Sequence, residues 1–156
     1  MKGKGKEGRY QRILAQLDDL LAKSNDPLAR MATVCAVLHH KMDHYFWTGF
    51  YLLKDGELIV GPYQGPVACQ VLEKDKGVCW AALNRNAPVI VPDVEKFPGH
   101  IACDARSKSE ISLPVYNSDG EIMAVFDVDA KQLDQFCAVD RDYLVKILAL
   151  ISKDLS

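Results

Sequence analysis

The chain has 156 residues, of which 49% are hydrophobic and 26% charged, and its formal net charge is −2. This length is enough to bury a substantial core without disulfides, so we expect one domain over 1–156. The nearly balanced charge gives no electrostatic reason to expect a nucleic acid or an anionic membrane as partner.

The start of the chain alternates lysine with glycine, which predicts a frayed terminus over 1–8. No apolar run is long enough for a membrane span, and no signal peptide is recognised. Five cysteines without a leader favour a cytoplasmic location, where a disulfide is more often catalytic than structural. No C-x-x-C pair and no histidine–cysteine cluster with zinc spacing occurs, so no metal is expected.

Two helices are predicted before the first strand. Apolar residues recur at helical spacing over 9–24, which predicts an amphipathic N-terminal helix. Asp26 and Pro27 then predict the cap and the first residue of a second helix. Cys35 lies among the apolar residues of that helix, so we expect it in the core.

The pattern changes to strands after Tyr45. Asp55 and Gly56 separate the runs FWTGFYLL and ELIVGPY, which predicts a β-hairpin. The run VCWAALNRN predicts a short helix that ends near Asn86, and a last helix closes the chain. The order of elements predicts an α+β fold, with a central antiparallel sheet of about six strands and helices packed on its faces. The four further predicted strands are 67–72, 88–94, 110–116 and 121–130.

The stretch Phe97–Pro114, which reads FPGHIACDARSKSEISLP, begins with a long loop of the kind that is usually functional. Cys103 lies in this loop, and Cys79 lies at a predicted helix start, where the helix dipole favours a thiolate. By position alone, Cys79 and Cys103 are the candidates for a reactive thiol, and the alternative for each is a structural role. Cys69 follows a Gly-Pro bend in a strand pattern, and Cys137 near the last helix is interpreted as structural.

Two carboxylates, Asp127 and Asp129, stand at alternate positions of a predicted strand and therefore share one face. Burying two charged carboxylates costs free energy unless they meet water, a cation or a proton. The alternative is that the strand end frays into solvent. Glu110 begins the preceding strand and is expected beside them. Three acids near thiols would hold a small cation, or would keep one carboxyl protonated as a general acid.

Two aromatic residues, Trp47 and Tyr51, are four apart on the first strand and so share a face. Most such pairs belong to a core. Beside an acidic pocket they would instead wall a ligand that carries an ammonium or a methyl group.

Five blocks of the sequence together resemble the free methionine-(R)-sulfoxide reductases, single-domain enzymes of the GAF fold: FWTGFYLL, GPYQGPVAC, KGVCWAAL, FPGHIACDARSKSEISLPV and AVFDVDA. The similarity extends from about Ala29 to Ile151, and the block around Cys103 is its most specific part. The resemblance implies a GAF-like fold and the reduction of free L-methionine-(R)-sulfoxide to L-methionine. It implies no bound cofactor, and thioredoxin as the external reductant.

The resemblance also implies roles for three cysteines. Cys103 would attack the sulfoxide sulfur and become a sulfenic acid. Cys69 would be the main resolving thiol and close a Cys69–Cys103 disulfide, with Cys79 as an auxiliary or alternative resolver. Which of the two resolves is left open.

The residues that the resemblance assigns to substrate binding are of three kinds. The acidic pocket would consist of Glu110, Asp127 and Asp129. Trp47 would pack on the methyl end of the substrate with Tyr51 nearby, and backbone amides at Ile101–Cys103, which include Ala102, would bind its carboxylate. The alternative is a GAF module that binds a small ligand, or a redox sensor, without catalysis. The amphipathic first helix also allows a homodimer.

Overall fold

The structure is a computed structural model that describes residues 3–100 and 103–154. Its elements, in chain order, are α1 (Gly3–Leu21), α2 (Pro27–Lys41), β1 (Trp47–Lys54), β2 (Glu57–Gln64), α3 (Gly77–Arg85), β3 (Val89–Val91), a 3₁₀ turn (Val94–Lys96), β4 (Ser109–Tyr116), β5 (Ile122–Ala130), α4 (Ala138–Ala149) and a second 3₁₀ turn (Leu150–Ser152).

The five strands form one sheet in the order β2-β1-β5-β4-β3, and every neighbouring pair is antiparallel. This confirms the predicted α+β class, but the sheet has five strands rather than six. The predicted strand over 67–72 is wrong, because only Val71 makes a β-bridge there, to Ile59. Val67 is 84% exposed, so the apolar alternation of this segment does not mark a buried face.

The two faces of the sheet are covered by different helices. On one face α1, α2 and α4 pack around the buried side chains of Phe50 and Phe126. On the other face α3 packs through Val78 and Trp80 against Val125. Successive side chains of a strand point to opposite faces, so the residues that alternate with Phe126 point toward α3.

Short-range signals in the sequence account for several element boundaries. The Asp26 carboxylate accepts hydrogen bonds from the backbone N–H groups at the start of α2, as an N-cap should. Asp55 and Gly56 both have positive φ, which suits the tight turn of the predicted hairpin. Asn86 takes the left-handed conformation that ends α3, and Cys35 is buried as predicted.

The N-terminal helix begins earlier than predicted. It starts at Gly3 rather than at residue 9 and ends at Leu21, so 3–8 are helical and not frayed. Lys6 explains the difference: its side chain is buried, and Nζ donates hydrogen bonds to Asp140 Oδ2 at 2.7 Å and to Gln135 O at 2.6 Å. These contacts fix the first turns of α1 to α4.

Within 3–100 and 103–154, no helix combines the length and the apolar character that a membrane span requires.

Candidate active site

A row of acidic side chains lies on the face of the sheet that α3 covers. The register of β4 and β5 places Glu110 opposite Asp129, and Ser112 opposite Asp127. Glu110 is 6% exposed and Asp127 is 4% exposed, and Asp129 is partly buried. The strand end therefore does not fray into solvent, and the three predicted acids converge.

Burial changes the protonation of this cluster. It raises the pKa of Glu110 and of Asp129 well above the ordinary value, and the nearby charge of Asp127 raises both further. Burial also raises the pKa of Asp127, but hydrogen bonds from Glu110, Ser112 and Cys79 oppose that rise. The three carboxyls therefore share protons, and Asp127 is the member with the most support for its charged form.

Cys79 lies in the first turn of α3 and points into the acidic cluster. Its Sγ is 3.6 Å from Ser112 Oγ, which donates a hydrogen bond to Asp127 Oδ1 at 2.6 Å. Burial raises the pKa of the Cys79 thiol well above its ordinary value, and the charges of Asp127 and Glu110 add to this. The helix position therefore does not lower the pKa of Cys79, because burial among acids outweighs the helix dipole.

Three possible cation donors, Cys79 Sγ and one oxygen each of Glu110 and Asp127, lie within 4.8 Å of one another. A thiol and carboxyls must lose their protons to bind a metal ion. Burial raises the pKa of all three groups, and the neighbouring acids raise the pKa of Cys79 and of Glu110 further. The chemistry of this set fits a shared proton better than a cation.

An aromatic wall stands beside the acids. Trp47 stacks between Tyr51 and Tyr63, with ring centroids 5.7 and 5.3 Å away, and its Nε1 donates a hydrogen bond to Pro66 O at 3.1 Å. A Cβ on Gly49 would lie 2.4 Å from Tyr63 Cβ and 2.6 Å from Trp47 Cη2. The absence of a side chain at Gly49 therefore allows the stack. The sequence predicted the Trp47–Tyr51 pair but missed Tyr63, which lies on another strand.

Two segments outside the sheet meet at a disulfide. Cys69, between β2 and α3, is bonded to Cys103, in the loop before β4, with 5.7 Å between their Cα atoms. The Cys103 loop is also held by Arg106, which pairs with Asp104 at 2.7 Å and lies 4.9 Å from the centre of the Phe46 ring. The structure thus contains the disulfide that the resemblance implies.

One cavity collects most of the predicted site residues. Those that line it are Trp47, Tyr51, Cys79, Cys103, Glu110, Asp127 and Asp129. Ile101 and Ala102 lie outside the described residues. The sequence did not single out His100, although it belongs to the same block as Cys103; burial lowers its pKa, so the ring is neutral at pH 7.

The two remaining cysteines do not line this cavity. Cys35 is buried against the sheet, and burial raises its pKa to about 12, so the thiol is inert. Cys137 is exposed at the N-cap of α4, where its Sγ lies 3.5 Å from Asp140 Oδ2. Cys137 thus contacts the cap of α4, and its structural role stays a prediction.

A sequence profile described as "GAF domain" matches residues 26–153. The chain belongs to the GAF-domain family. It is 46% identical to GAF domain-containing protein A of Dictyostelium discoideum over 147 residues, which are 94% of this chain and 92% of that protein. It is 37% identical to the free methionine-R-sulfoxide reductase of Escherichia coli over 147 residues, which are 94% of this chain and 88% of that protein.

Solved structures of this family agree with these matches. The structure superposes with a TM-score of 0.90 on the free methionine-R-sulfoxide reductase of Neisseria meningitidis in complex with its substrate, at 37% identity. The match covers 95% of this chain and 89% of that one. The resemblance to the free methionine-(R)-sulfoxide reductases is thereby confirmed, together with the GAF fold.

Proposed function

We propose that this GAF-domain chain is an oxidoreductase that reduces free L-methionine-(R)-sulfoxide to L-methionine. The single observation that carries the proposal is the Cys69–Cys103 disulfide, which borders a cavity lined by buried carboxyls and stacked aromatic rings. A binding module needs no such redox pair. The names and titles of several relatives describe the same activity.

The first step is the attack of Cys103 Sγ on the sulfoxide sulfur. The oxygen of the sulfoxide passes to Cys103, which becomes a sulfenic acid, and methionine leaves as the thioether. The thiol is oxidised by two electrons and the sulfoxide is reduced by two, so the step balances without another reagent. Cys103 is exposed in the structure, as a cysteine that attacks a substrate must be.

The acidic cluster supplies the proton that this step needs. An oxide is a poor leaving group unless it is protonated, and a positioned carboxylic acid typically contributes about 10²–10⁴-fold to such a reaction. The raised pKa of Glu110 and of Asp129 keeps a proton available at neutral pH. A remaining carboxylate of the cluster then pairs with the ammonium group of the amino acid.

The aromatic wall binds the other end of the substrate. Trp47 presents its ring to the cavity and is rigidly held between Tyr51 and Tyr63, so it can pack on the methyl group of the substrate. The backbone amides of Ile101–Cys103 remain the predicted site for the carboxylate of the substrate.

The second step regenerates a closed disulfide. The sulfenic acid of Cys103 condenses with the thiol of Cys69 and releases water. Two observations favour Cys69 over Cys79 as the resolving thiol. Cys69 is already bonded to Cys103. The Cys79 thiol is buried, and its pKa is raised by burial and by the neighbouring acids, so it is a poor nucleophile. An external dithiol, thioredoxin in this proposal, then reduces the disulfide.

A coupled assay tests the proposal. Wild-type protein is mixed with free methionine-(R)-sulfoxide, thioredoxin, thioredoxin reductase and NADPH, and the loss of NADPH is followed. We expect turnover by the wild type and none by Cys103→Ser. Cys137→Ser is the matched control, because this thiol lies outside the cavity and serine is a good N-cap residue for α4.

Two results of that assay would contradict the proposal. Absence of turnover by the wild type, together with binding of the sulfoxide, would support a GAF ligand-binding module instead. Turnover by Cys103→Ser would show that another group is the nucleophile.

A further inference from the structure

A chain of three hydrogen-bonding groups runs beneath the cavity and joins three elements. Cys79 Sγ on α3 lies 3.6 Å from Ser112 Oγ on β4, and Ser112 Oγ lies 2.6 Å from Asp127 Oδ1 on β5. All three residues are buried, so hydrogen bonds within the protein are an important support for their polar groups.

The direction of this chain follows from the number of protons available. Ser112 carries one hydroxyl proton, and a separation of 2.6 Å is typical of a hydroxyl that donates to a carboxylate. Cys79 keeps its thiol proton because burial among acids raises its pKa, so it donates to Ser112. The opposite direction would end on a thiol sulfur, which is a weak acceptor. The chain therefore runs from Cys79 through Ser112 to Asp127.

The other two carboxyls lack this support. Glu110 and Asp129 face each other across the same ladder, and no hydroxyl or thiol of the described residues donates to either of them. Where like charges are crowded, the carboxyl that receives a fixed donor stays charged and the others take the proton. We infer that Ser112 is a positioning residue that keeps Asp127 ionised, so that the shared proton resides on the Glu110–Asp129 pair.

Glu110 and Cys79 also support the charged form of Asp127, but Glu110 donates only while it holds the shared proton, and a thiol is a weak donor. Ser112 is the donor whose hydroxyl proton is always present, 2.6 Å from Asp127 Oδ1. The other groups around Asp127 therefore do not replace Ser112 in this role. Those that face it are Tyr51 from β1, Cys79 from α3, His100 from the Cys103 loop, Glu110 from β4 and Asp129 from β5. His100 is the only potential cation among them. Burial lowers its pKa, so it carries no charge at pH 7. Lys76 also lines the cavity, but its Nζ pairs with Glu73 at 2.8 Å.

This inference rests on the proposed function and makes it more specific. The Glu110–Asp129 pair would donate the proton to the sulfoxide oxygen, and ionised Asp127 would pair with the substrate ammonium group. Ser112 touches neither the substrate nor the attacking thiol. It acts only through Asp127, by deciding which carboxyl stays charged.

The first test is independent of turnover. Carboxyl carbons of Asp and Glu are labelled with ¹³C in the oxidised protein, and their chemical shifts are followed as a function of pH. We expect Ser112→Ala to raise the pKa of Asp127 and to lower that of Glu110, because the proton moves between them. Ser112→Thr, which keeps the hydroxyl, should restore the wild-type order.

A matched control is available on the same strand. Ser109 is also buried, but its hydroxyl donates to Gln132 O, not to a carboxylate. Ser109→Ala should therefore leave the titration of Asp127 at its wild-type position. If Ser112→Ala does the same, or if Ser109→Ala shifts Asp127 equally, the inference is overturned.

The second test uses Cys79, the first donor of the hydrogen-bond chain. Cys79→Ala removes the donor to Ser112, whereas Cys79→Ser keeps a hydroxyl donor and cannot form a disulfide. We expect the pKa of Asp127 to rise in Cys79→Ala and to rise less in Cys79→Ser. Equal shifts in the two variants would overturn the oriented chain. If Ser112→Ala fails to fold, Cys79→Ala and Cys79→Ser still test whether the hydrogen-bond chain keeps Asp127 ionised.

Kinetics complete the test. In the coupled assay Ser112→Ala should lower kcat about tenfold, a part of the 10²–10⁴-fold that general acid catalysis typically supplies. The acidic limb of its pH profile should also move, and Ser112→Thr should restore both. If the wild type shows no turnover, the proposed function fails, but the ¹³C titration still decides the role of Ser112.

Discussion

Lys6 Nζ lies 2.7 Å from Asp140 Oδ2, and both side chains are buried between α1 and α4. Asp140 also accepts hydrogen bonds from Tyr10 Oη at 2.6 Å, from His44 Nε2 at 2.9 Å and from the backbone N–H of Cys137. One carboxylate therefore holds the N-terminal helix, the segment before β1 and the cap of α4 in place.

Loss of Lys6 should destabilise the protein strongly. Lys6→Met keeps most of the side-chain volume but leaves the buried Asp140 charge without its cation, which typically costs about 3–5 kcal/mol. Urea unfolding measures the free energy, and Lys23→Met is the control because Lys23 is exposed. A cost similar to that of Lys23→Met would show that the remaining donors suffice.

Asp140 should also make stability depend on acid. Burial by itself would raise the pKa of this carboxyl, but hydrogen bonds from His44, Lys6 and Tyr10 outweigh it and hold the pKa well below its ordinary value. The contribution is present above the unfolded pKa of about 3.9 and is lost as the pH falls toward the folded value. Asp140→Asn should lose stability at pH 7 and lose little more on acidification. A variant that keeps the wild-type acid slope would contradict this assignment.

Glu110→Gln should lower the activity of the protein and raise its stability at alkaline pH. Because burial raises the pKa of Glu110, the folded state binds more protons than the unfolded state above about pH 4.3. The free energy of unfolding therefore falls as the pH rises from the unfolded pKa to the folded pKa. The variant should lose turnover by about 10²–10⁴-fold. It should gain about 0.5–2 kcal/mol at pH 8 but not at pH 4. Urea unfolding at both pH values measures this, with exposed Glu121→Gln as the control.

Gly49→Ala should disrupt the aromatic wall. The added Cβ would lie 2.6 Å from Trp47 Cη2 and 2.4 Å from Tyr63 Cβ, so the rings must move. Such overpacking typically costs about 1–3 kcal/mol. The KM for the sulfoxide should rise more than kcat falls, because Trp47 binds the substrate and does no chemistry. Gly8→Ala, whose Cβ would approach only Arg12 Nη1 at 3.4 Å, should leave KM unchanged.

Cys69→Ser should stop the reaction after one turnover. The nucleophile Cys103 remains, so one equivalent of methionine is released and a sulfenic acid accumulates. A sulfenic acid-specific reagent followed by mass spectrometry detects the product on Cys103. Rapid formation of a Cys79–Cys103 disulfide in this variant would instead assign the resolving role to Cys79.

Local patterns predicted much of the fold and of the site. The Asp55-Gly56 hairpin needs only two residues to be recognised, and the alternation of Asp127 with Asp129 places both acids on one face without tertiary information. Glu110 was expected beside them because a short turn joins β4 to β5.

Features that depend on packing between distant segments were not predictable. The apolar pattern of 67–72 resembles a strand, but Cys69 is bonded to Cys103 and only the end of the segment pairs with β2, through Val71. The helical conformation of 3–8 depends on buried contacts of Lys6. An analysis of hydrophobic periodicity treats a lysine as polar and exposed, so it does not predict these contacts. The pKa of Cys79 depends on acids from two strands that come together only in the folded chain.

The Cys69–Cys103 bond closes a loop between residues 34 positions apart. In the chain-entropy account, a crosslink of that span removes about 3–4 kcal/mol of freedom from the unfolded chain. Each catalytic cycle would thus alternate the protein between a crosslinked form of higher stability and a reduced form of lower stability. The melting temperature of a sample then shows whether the disulfide is closed or reduced. The reduced form should unfold at the lower temperature and be cleaved first by proteases.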